Sequence, residues 1–258
     1  NYHGLSLAMR HAFSLGFEGQ ISYTWSHALQ LGPGITATAP LVYNPYHLQT
    51  GYSSTNFDTR HVLTGDLVWM TPSKFRGRIL NWVATGWTLG TKMYLYSGRP
   101  FSVVNSQIPG LLSTNFGSGA AIVADLLNPS ILGISCRDVN TRCFSPADFA
   151  AARANGAAPV QTDFGNIPPN SFRGPGFFDL DTQLTKKIPI TERAAFELGA
   201  SAYNLLNHPN FAVPNGNAAS GSFGLITSTV STPTSIYGTG QGAIVSGRVL
   251  VVTGRFNF

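Results

Sequence analysis

The chain has 258 residues, enough for one large domain or two small ones, and only 10% are charged, against roughly a quarter in an average soluble domain. No run approaches the ~18 to 20 consecutive apolar residues of a membrane helix, which excludes a helical membrane protein. The net charge of +5 comes from scattered Lys and Arg, with the densest stretch, KFRGRIL from Lys74, broken by apolar residues, so nucleic acid is not an expected partner.

Period-two alternation is the dominant signal along the chain. At the start, Leu5, Leu7 and Met9 oppose Ser6, Ala8 and Arg10. After the short link FSLG (13–16), Phe17, Gly19, Ile21, Tyr23 and Trp25 point one way, and Glu18, Gln20, Ser22 and Thr24 the other. Residues 28–58 form a long link rich in Pro, Gly and Tyr. Leu63, Gly65, Leu67 and Trp69 then face away from Thr64, Asp66 and Val68. Residues 71–85 are an intermediate link with a helical turn predicted around Ile79 to Val83. Trp87, Leu89, Thr91, Met93 and Leu95 alternate with Thr88, Gly90, Lys92, Tyr94 and Tyr96. A very long link, 98–175, contains SPADFAAARANG from Ser145. That stretch reads as a short helix, with Ser145 as N-cap, Pro146 at the first position and Gly156 at the end. Phe178, Leu180, Thr182 and Leu184 oppose Asp179, Asp181, Gln183 and Thr185. The short link PITER leads to Phe196, Leu198, Ala200 and Ala202 opposing Glu197, Gly199, Ser201 and Tyr203. Residues 207–242 are long and rich in Gly, Ser, Thr and Asn. In the closing stretch Leu250, Val252, Gly254, Phe256 and Phe258 share one face, and Val251, Thr253, Arg255 and Asn257 the other.

About seven strands of mostly ~10 to 13 residues follow, longer than the ~5 to 6 of globular sheets and close to the ~9 to 11 that cross a bilayer. The charges Glu18, Asp66, Lys92, Asp179, Asp181, Glu197 and Arg255 fall on one face, expected to line a polar lumen, and the other face is nearly free of charge. Links alternate short and long, the layout of outer-membrane barrels with tight periplasmic turns and extended external loops. The predicted fold is therefore all-β, an antiparallel transmembrane β-barrel in the bacterial outer membrane. If the short turns are periplasmic, the first of seven strands starts at the outer rim. Single-chain bacterial barrels have an even strand number with both ends periplasmic. The expectation is that these residues are the C-terminal segment of a larger barrel, or that one strand escaped notice. The absence of a signal peptide before NYHGLSLAM agrees with a piece of something longer. Leu250, Val252, Phe256 and Phe258 resemble the C-terminal assembly signal of outer-membrane proteins, which implies the barrel-assembly machinery and outer-membrane lipid as partners. Arg248, on the apolar face, is placed near the outer edge of the apolar band, where it can snorkel.

Cys136 and Cys143 lie in a polar, turn-rich region and are the candidates for a disulfide in an oxidising compartment. No G-x-S-x-G elbow, H-E-x-x-H or P-loop occurs, and GTGQGA (238–243) precedes a strand instead of following one. His27, His61 and His208 are dispersed, with strand-end or turn roles expected. Asp179 and Asp181 share a face without requiring acid–base chemistry. Neither an enzyme nor a cofactor is expected.

Four stretches, SYTWSHAL (22–29), GWTLGTKMYLYSGRPFSV (86–103), FRGPGFFDLDTQLTKKIPI (172–190) and FELGASAYNLLNHPNF (196–211), resemble the C-terminal half of Oar-like TonB-dependent outer-membrane receptors. The resemblance covers nearly the whole chain outside the long-loop interiors. Residues 204–211 and 173–176 are its most specific parts. It implies a complete barrel of about 22 strands, with a plug and N-terminal domains outside these residues. It also implies coupling to the TonB complex and an extracellular ligand for the loops. Two other readings stand beside it: a non-transporting adhesion or structural barrel, and a soluble all-β enzyme or lectin-like domain.

Overall fold

The computed structural model describes residues 1–31, 41–42, 44, 46–72, 74, 76–107, 121–151, 163–230 and 247–258. Seven strands pair in chain order as one antiparallel sheet: β1 (Tyr2–Ser14), β2 (Phe17–Leu31), β3 (His61–Met70), β4 (Trp87–Tyr96), β5 (Phe177–Pro189), β6 (Ala195–Tyr203) and β7 (Val249–Asn257). A short strand, Tyr52–Ser54, pairs with the far end of β2. The sheet is not closed, and β1 and β7 are its edges. Among the described residues a single α-helix, α1 (Arg78–Ala84), covers the predicted helical turn. No helix among the described residues is long and apolar enough to cross a membrane.

The links sort as the alternation predicts. Residues 15–16, 71–86 and 190–194 join strands at one end, and 32–60, 97–176 and 204–248 at the other. The first is a two-residue turn with φ of 52° at Leu15 and 83° at Gly16. Two positive φ values give the primed turn that matches strand twist. Gly16 is required twice over, because a Cβ there would lie 2.5 Å from the Met70 carbonyl oxygen. Its own carbonyl accepts from the Met70 N–H at 2.7 Å, tying the turn to β3.

The two faces differ as the sequence expects. Leu198, Leu250 and Val252 are 47%, 68% and 75% exposed, whereas Asp179 and Asp181 on the opposite face are buried. The buried core lies instead among the long links. Phe101, Val103, Val123, Phe144, Phe149, Phe172 and Phe223 pack there. The Phe144 ring lies 4.7 Å from Phe172, 5.7 Å from Phe149 and 5.8 Å from Phe223, centroid to centroid. Short strands frame this cluster: Val104–Asn105 pairs antiparallel with Ala121–Val123, and Pro100–Phe101 with Phe172–Arg173. Cys136 and Cys143 are joined by a disulfide. The loops thus form a packed cap with its own apolar nucleus.

One local expectation is corrected. The helix expected from Ser145 is a single 3-10 turn, Pro146–Asp148. Its start is as foreseen: the Ser145 hydroxyl accepts from the Ala147 N–H at 3.2 Å, and the Asp148 carboxylate accepts from the Ser145 N–H at 2.8 Å. The chain then turns extended at Phe149, because its ring enters the cap core and the Ala150 N–H donates to the Asp125 carbonyl at 2.9 Å. Packing overrides helix propensity here. Residues 152–162, which include Gly156, and the GTGQGA stretch lie outside the described residues.

Phe144→Ala should remove ~3 to 5 kcal/mol from the cap. Limited proteolysis is expected to cut within 97–176 several-fold faster, while the heat-modifiable barrel band on electrophoresis persists.

Candidate functional site

A pleated strand places every second side chain on the same face, and the register carries charged groups across the sheet in rows. Arg10 stands opposite Gln20, Gln20 opposite Asp66, Asp66 opposite Lys92 and Lys92 opposite Asp181. Signs alternate along the last three, so like charges are never direct neighbours there. Glu18 sits beside this row and pairs with Arg10 at 3.2 Å. A second row near the short-turn end sets Lys187 opposite Glu197 and Glu197 opposite Arg255. All seven charged residues picked out in the sequence therefore share one face. They do not form one cluster: six positions along β5 separate the two rows, roughly 20 Å at ~3.3 Å per residue. The first row borders a groove of about 600 Å³ lined by Asp66, Lys92, Asp181, Gln183, Ser201 and Tyr203. Toward the loop end of the same face lie Tyr94, Tyr96 and Phe177. Tyr96 stacks on Phe177 at 4.8 Å, and the Arg99 guanidinium lies 5.0 Å from the Tyr96 ring centre. Leu250, Val252 and Phe256 occupy the opposite, apolar face, and exposed Phe258 stacks beside Phe256 at 6.0 Å.

The cap is fastened to the strand tops by a buried ion cluster. Asp58, 1% exposed, accepts from the Ala28 N–H at 2.8 Å and from Arg60 Nε at 2.9 Å. Its carboxylate also accepts from the Arg173 guanidinium. Arg173 donates further to the Gly98 carbonyl at 3.1 Å. Arg60 Nη2 contacts His27 Nε2 at 2.8 Å. Burial alone would raise the Asp58 pKa, but the Ala28 N–H and the two guanidiniums together outweigh it and hold the carboxyl below its ordinary value. Gly98 beside it is obligatory: a Cβ there would lie 1.8 Å from the Gly174 carbonyl oxygen. Sequence reading singled out 173–176 as a motif but gave Arg173 no role and passed over Asp58 and Arg60. The adjacent charges in NFDTRH were the available signal.

The 204–211 motif proves to be a clasp. β6 stops pairing with β5 at Thr182, and the chain folds back along the rest of β5. Leu205 N–H donates to the Leu180 carbonyl at 2.7 Å. Asn210 accepts from the Phe178 N–H and donates to the Phe178 carbonyl, both at 2.9 Å, replacing a strand partner. The Asn204 N–H donates to the Asp181 carboxylate at 2.9 Å. Asn204 and Asn207 adopt φ of 50° and 52°, a region asparagine tolerates better than most residues. The Asn207 side chain accepts from the Arg248 N–H at 2.9 Å, so the clasp also positions the entry to β7. His208 takes the turn position expected of it, with its ring edge-on to Phe178. His61 opens β3 and bonds the Tyr23 hydroxyl at 2.7 Å.

A strand sheet with an exposed apolar face, a charged face and loops sorted to one end is the anatomy of an outer-membrane wall. A family model for the outer membrane beta barrel domain matches residues 1–237. The chain belongs to that family. The outer membrane beta barrel domain places the protein in the bacterial outer membrane. No curated protein and no solved structure matches it.

In the cap, the Asp125 pKa is raised to about 6 by burial and by the adjacent carboxylate of Asp163, which also hydrogen-bonds to it. A raised folded-state value means stability present below the ordinary carboxylate pKa and lost as pH rises through about 6. Asp125→Asn should therefore raise the thermal midpoint of the cap at pH 7.5 and leave it unchanged at acid pH. Asp58 works in the opposite sense. Its contribution is present above its unfolded value of 3.8 and is lost as pH falls through its lower folded value. Asp58→Asn, which leaves Arg173 and Arg60 without their anion, should speed limited proteolysis of the cap at neutral pH and flatten the loss of protease resistance expected of the unaltered protein as pH falls.

Proposed function

We propose that this protein is part of an Oar-like TonB-dependent receptor, supplying a section of barrel wall and the loops that recognise an extracellular ligand. The observation that carries the reading is the cap. The described parts of three long links at one end of the sheet pack together and are riveted to the strand tops. Beneath it lies a charged groove on the face opposite the lipid-compatible one. An ordered surface over a polar passage suits selective capture followed by transfer. The charged rows then line the lumen, and Leu198, Leu250 and Val252 meet acyl chains.

The open sheet fits a larger wall. Unpaired backbone groups in hydrocarbon cost several kcal/mol each, so β1 and β7 each need a strand partner. A barrel of about 22 strands supplies both. Movement of ligand through so wide a lumen needs a plug and energy from the TonB complex, which this reading places in other parts of the protein. It assigns no catalytic step to these residues.

Loss of the gene and loss of TonB should impair uptake of the same compounds from a panel of ferric chelates, oligosaccharides and peptides. A protonophore should reproduce the effect. Undiminished uptake in cells that lack TonB but retain the receptor would refute energised transport. Loss of surface attachment in the gene deletion alone would favour the adhesion barrel.

A further inference from the structure

Outside the strand faces, α1, at the short-turn end between β3 and β4, exposes four large apolar side chains in one turn and a half of helix. Ile79 is 82% and Trp82 68% exposed, and Leu80 and Val83 are each at least half exposed. An isolated seven-residue helix is unstable in water, so its attachment decides its role. Two side chains hold it. Lys186 of β5 donates to the carbonyls of Trp82 and Val83, both at 3.0 Å, and to that of Thr85. It thereby satisfies carbonyls that a helix leaves unpaired at its negative end. The Trp87 indole donates to the Val83 carbonyl at 2.8 Å, and its ring centre lies 5.2 Å from the Lys186 ammonium. Lys186 and Trp87 stand directly opposite one another, and Lys186 also stands opposite Leu198 on β6. All three belong to the apolar face. The helix is therefore fixed against the lipid-compatible side of the wall, and it buries the one lysine of β5 that points that way.

The surroundings are basic. Lys74 and Arg76 precede the helix and are exposed, and the helix, RILNWVA, contains no acidic residue. Glu192, in the 190–194 turn, is accompanied there by Arg193. Between α1 and the end of β5 runs a cleft of about 440 Å³, whose lining includes Ile79, Trp82, Lys186, Lys187 and Ile188. Its apolar walls suit acyl carbons, and the exposed cations near the helix are Lys74 and Arg76, a pairing that fits an amphiphile with an anionic head. Short turns of outer-membrane barrels are periplasmic, which sets α1 at the headgroup level of the periplasmic leaflet.

We propose that α1 is an interfacial foot that binds phospholipids with anionic headgroups in the periplasmic leaflet. Ile79 and Trp82 enter the acyl boundary, as in other membrane-surface helices. Lys74 and Arg76 attract the headgroup phosphates, and the cleft against β5 seats one of these lipids.

The test uses the full-length protein in nanodiscs of phosphatidylcholine, with and without phosphatidylglycerol. Bromines are carried either near the headgroup or deep in the acyl chain. The Trp82 signal is isolated by difference from Trp82→Phe. Shallow bromines should quench it more than deep ones. Native mass spectrometry should show phosphatidylglycerol retained several-fold over phosphatidylcholine. The double substitution Lys74→Glu and Arg76→Glu should erase that preference while the heat-modifiable band is unchanged. The proposal is overturned if neither bromine depth quenches Trp82, as when water or a cross-linkable protein covers the helix. Equal retention of the two lipids, or a preference that survives the charge reversal, overturns it as well.

Discussion

Hydrocarbon offers no hydrogen bonds, so a chain that crosses it as strands must pair its backbone with itself and turn apolar side chains outward. Most features of this protein answer to that constraint. The seven strands are long, pair in chain order and keep charge on one face. Because the side-chain period is two, a slip of one residue would carry Asp66, Lys92 and Asp181 into lipid. The tight turn at Leu15–Gly16 and the bond from Met70 to Gly16 help to hold that register. Lys186 departs from the pattern, and α1 covers it.

A sheet whose outer face meets lipid and whose inner face meets water has no dry interior of its own. The chain builds its buried nucleus elsewhere, in the loops. Burial of apolar surface from water is the driving force there, and the phenylalanines of the cap supply it. The protein thus contains two bodies stabilised by different physics, joined where Asp58, Arg60 and Arg173 meet. Asn204 and Asn210 reinforce the seam by continuing β5 where β6 has ended.

The strands were legible because alternation is a local property: Phe17 to Trp25 and Phe178 to Leu184 declare their faces within a few residues. Loop sorting followed from link lengths, and a helical turn was expected around Ile79 to Val83 within the intermediate link. The cap was not legible. Phe144, Phe172 and Phe223 are far apart in sequence and fall on no common period, so nothing local says that they converge. Ser145 and Pro146 carried a true helix-start signal, yet Phe149 left the helix for a core that the sequence does not announce. The Asp58–Arg173 pair spans 115 positions. An isolated arginine in a glycine-rich turn says little about its partner until the fold brings the two together.

The separation of the two bodies bears on how the surface can change. Exposed side chains of the described loop residues, such as Tyr46, Leu48 and Leu132, lie outside the cap nucleus and its ionic rivet. Substitutions at such positions can change the exposed surface without disturbing the pairing that keeps the wall in the membrane.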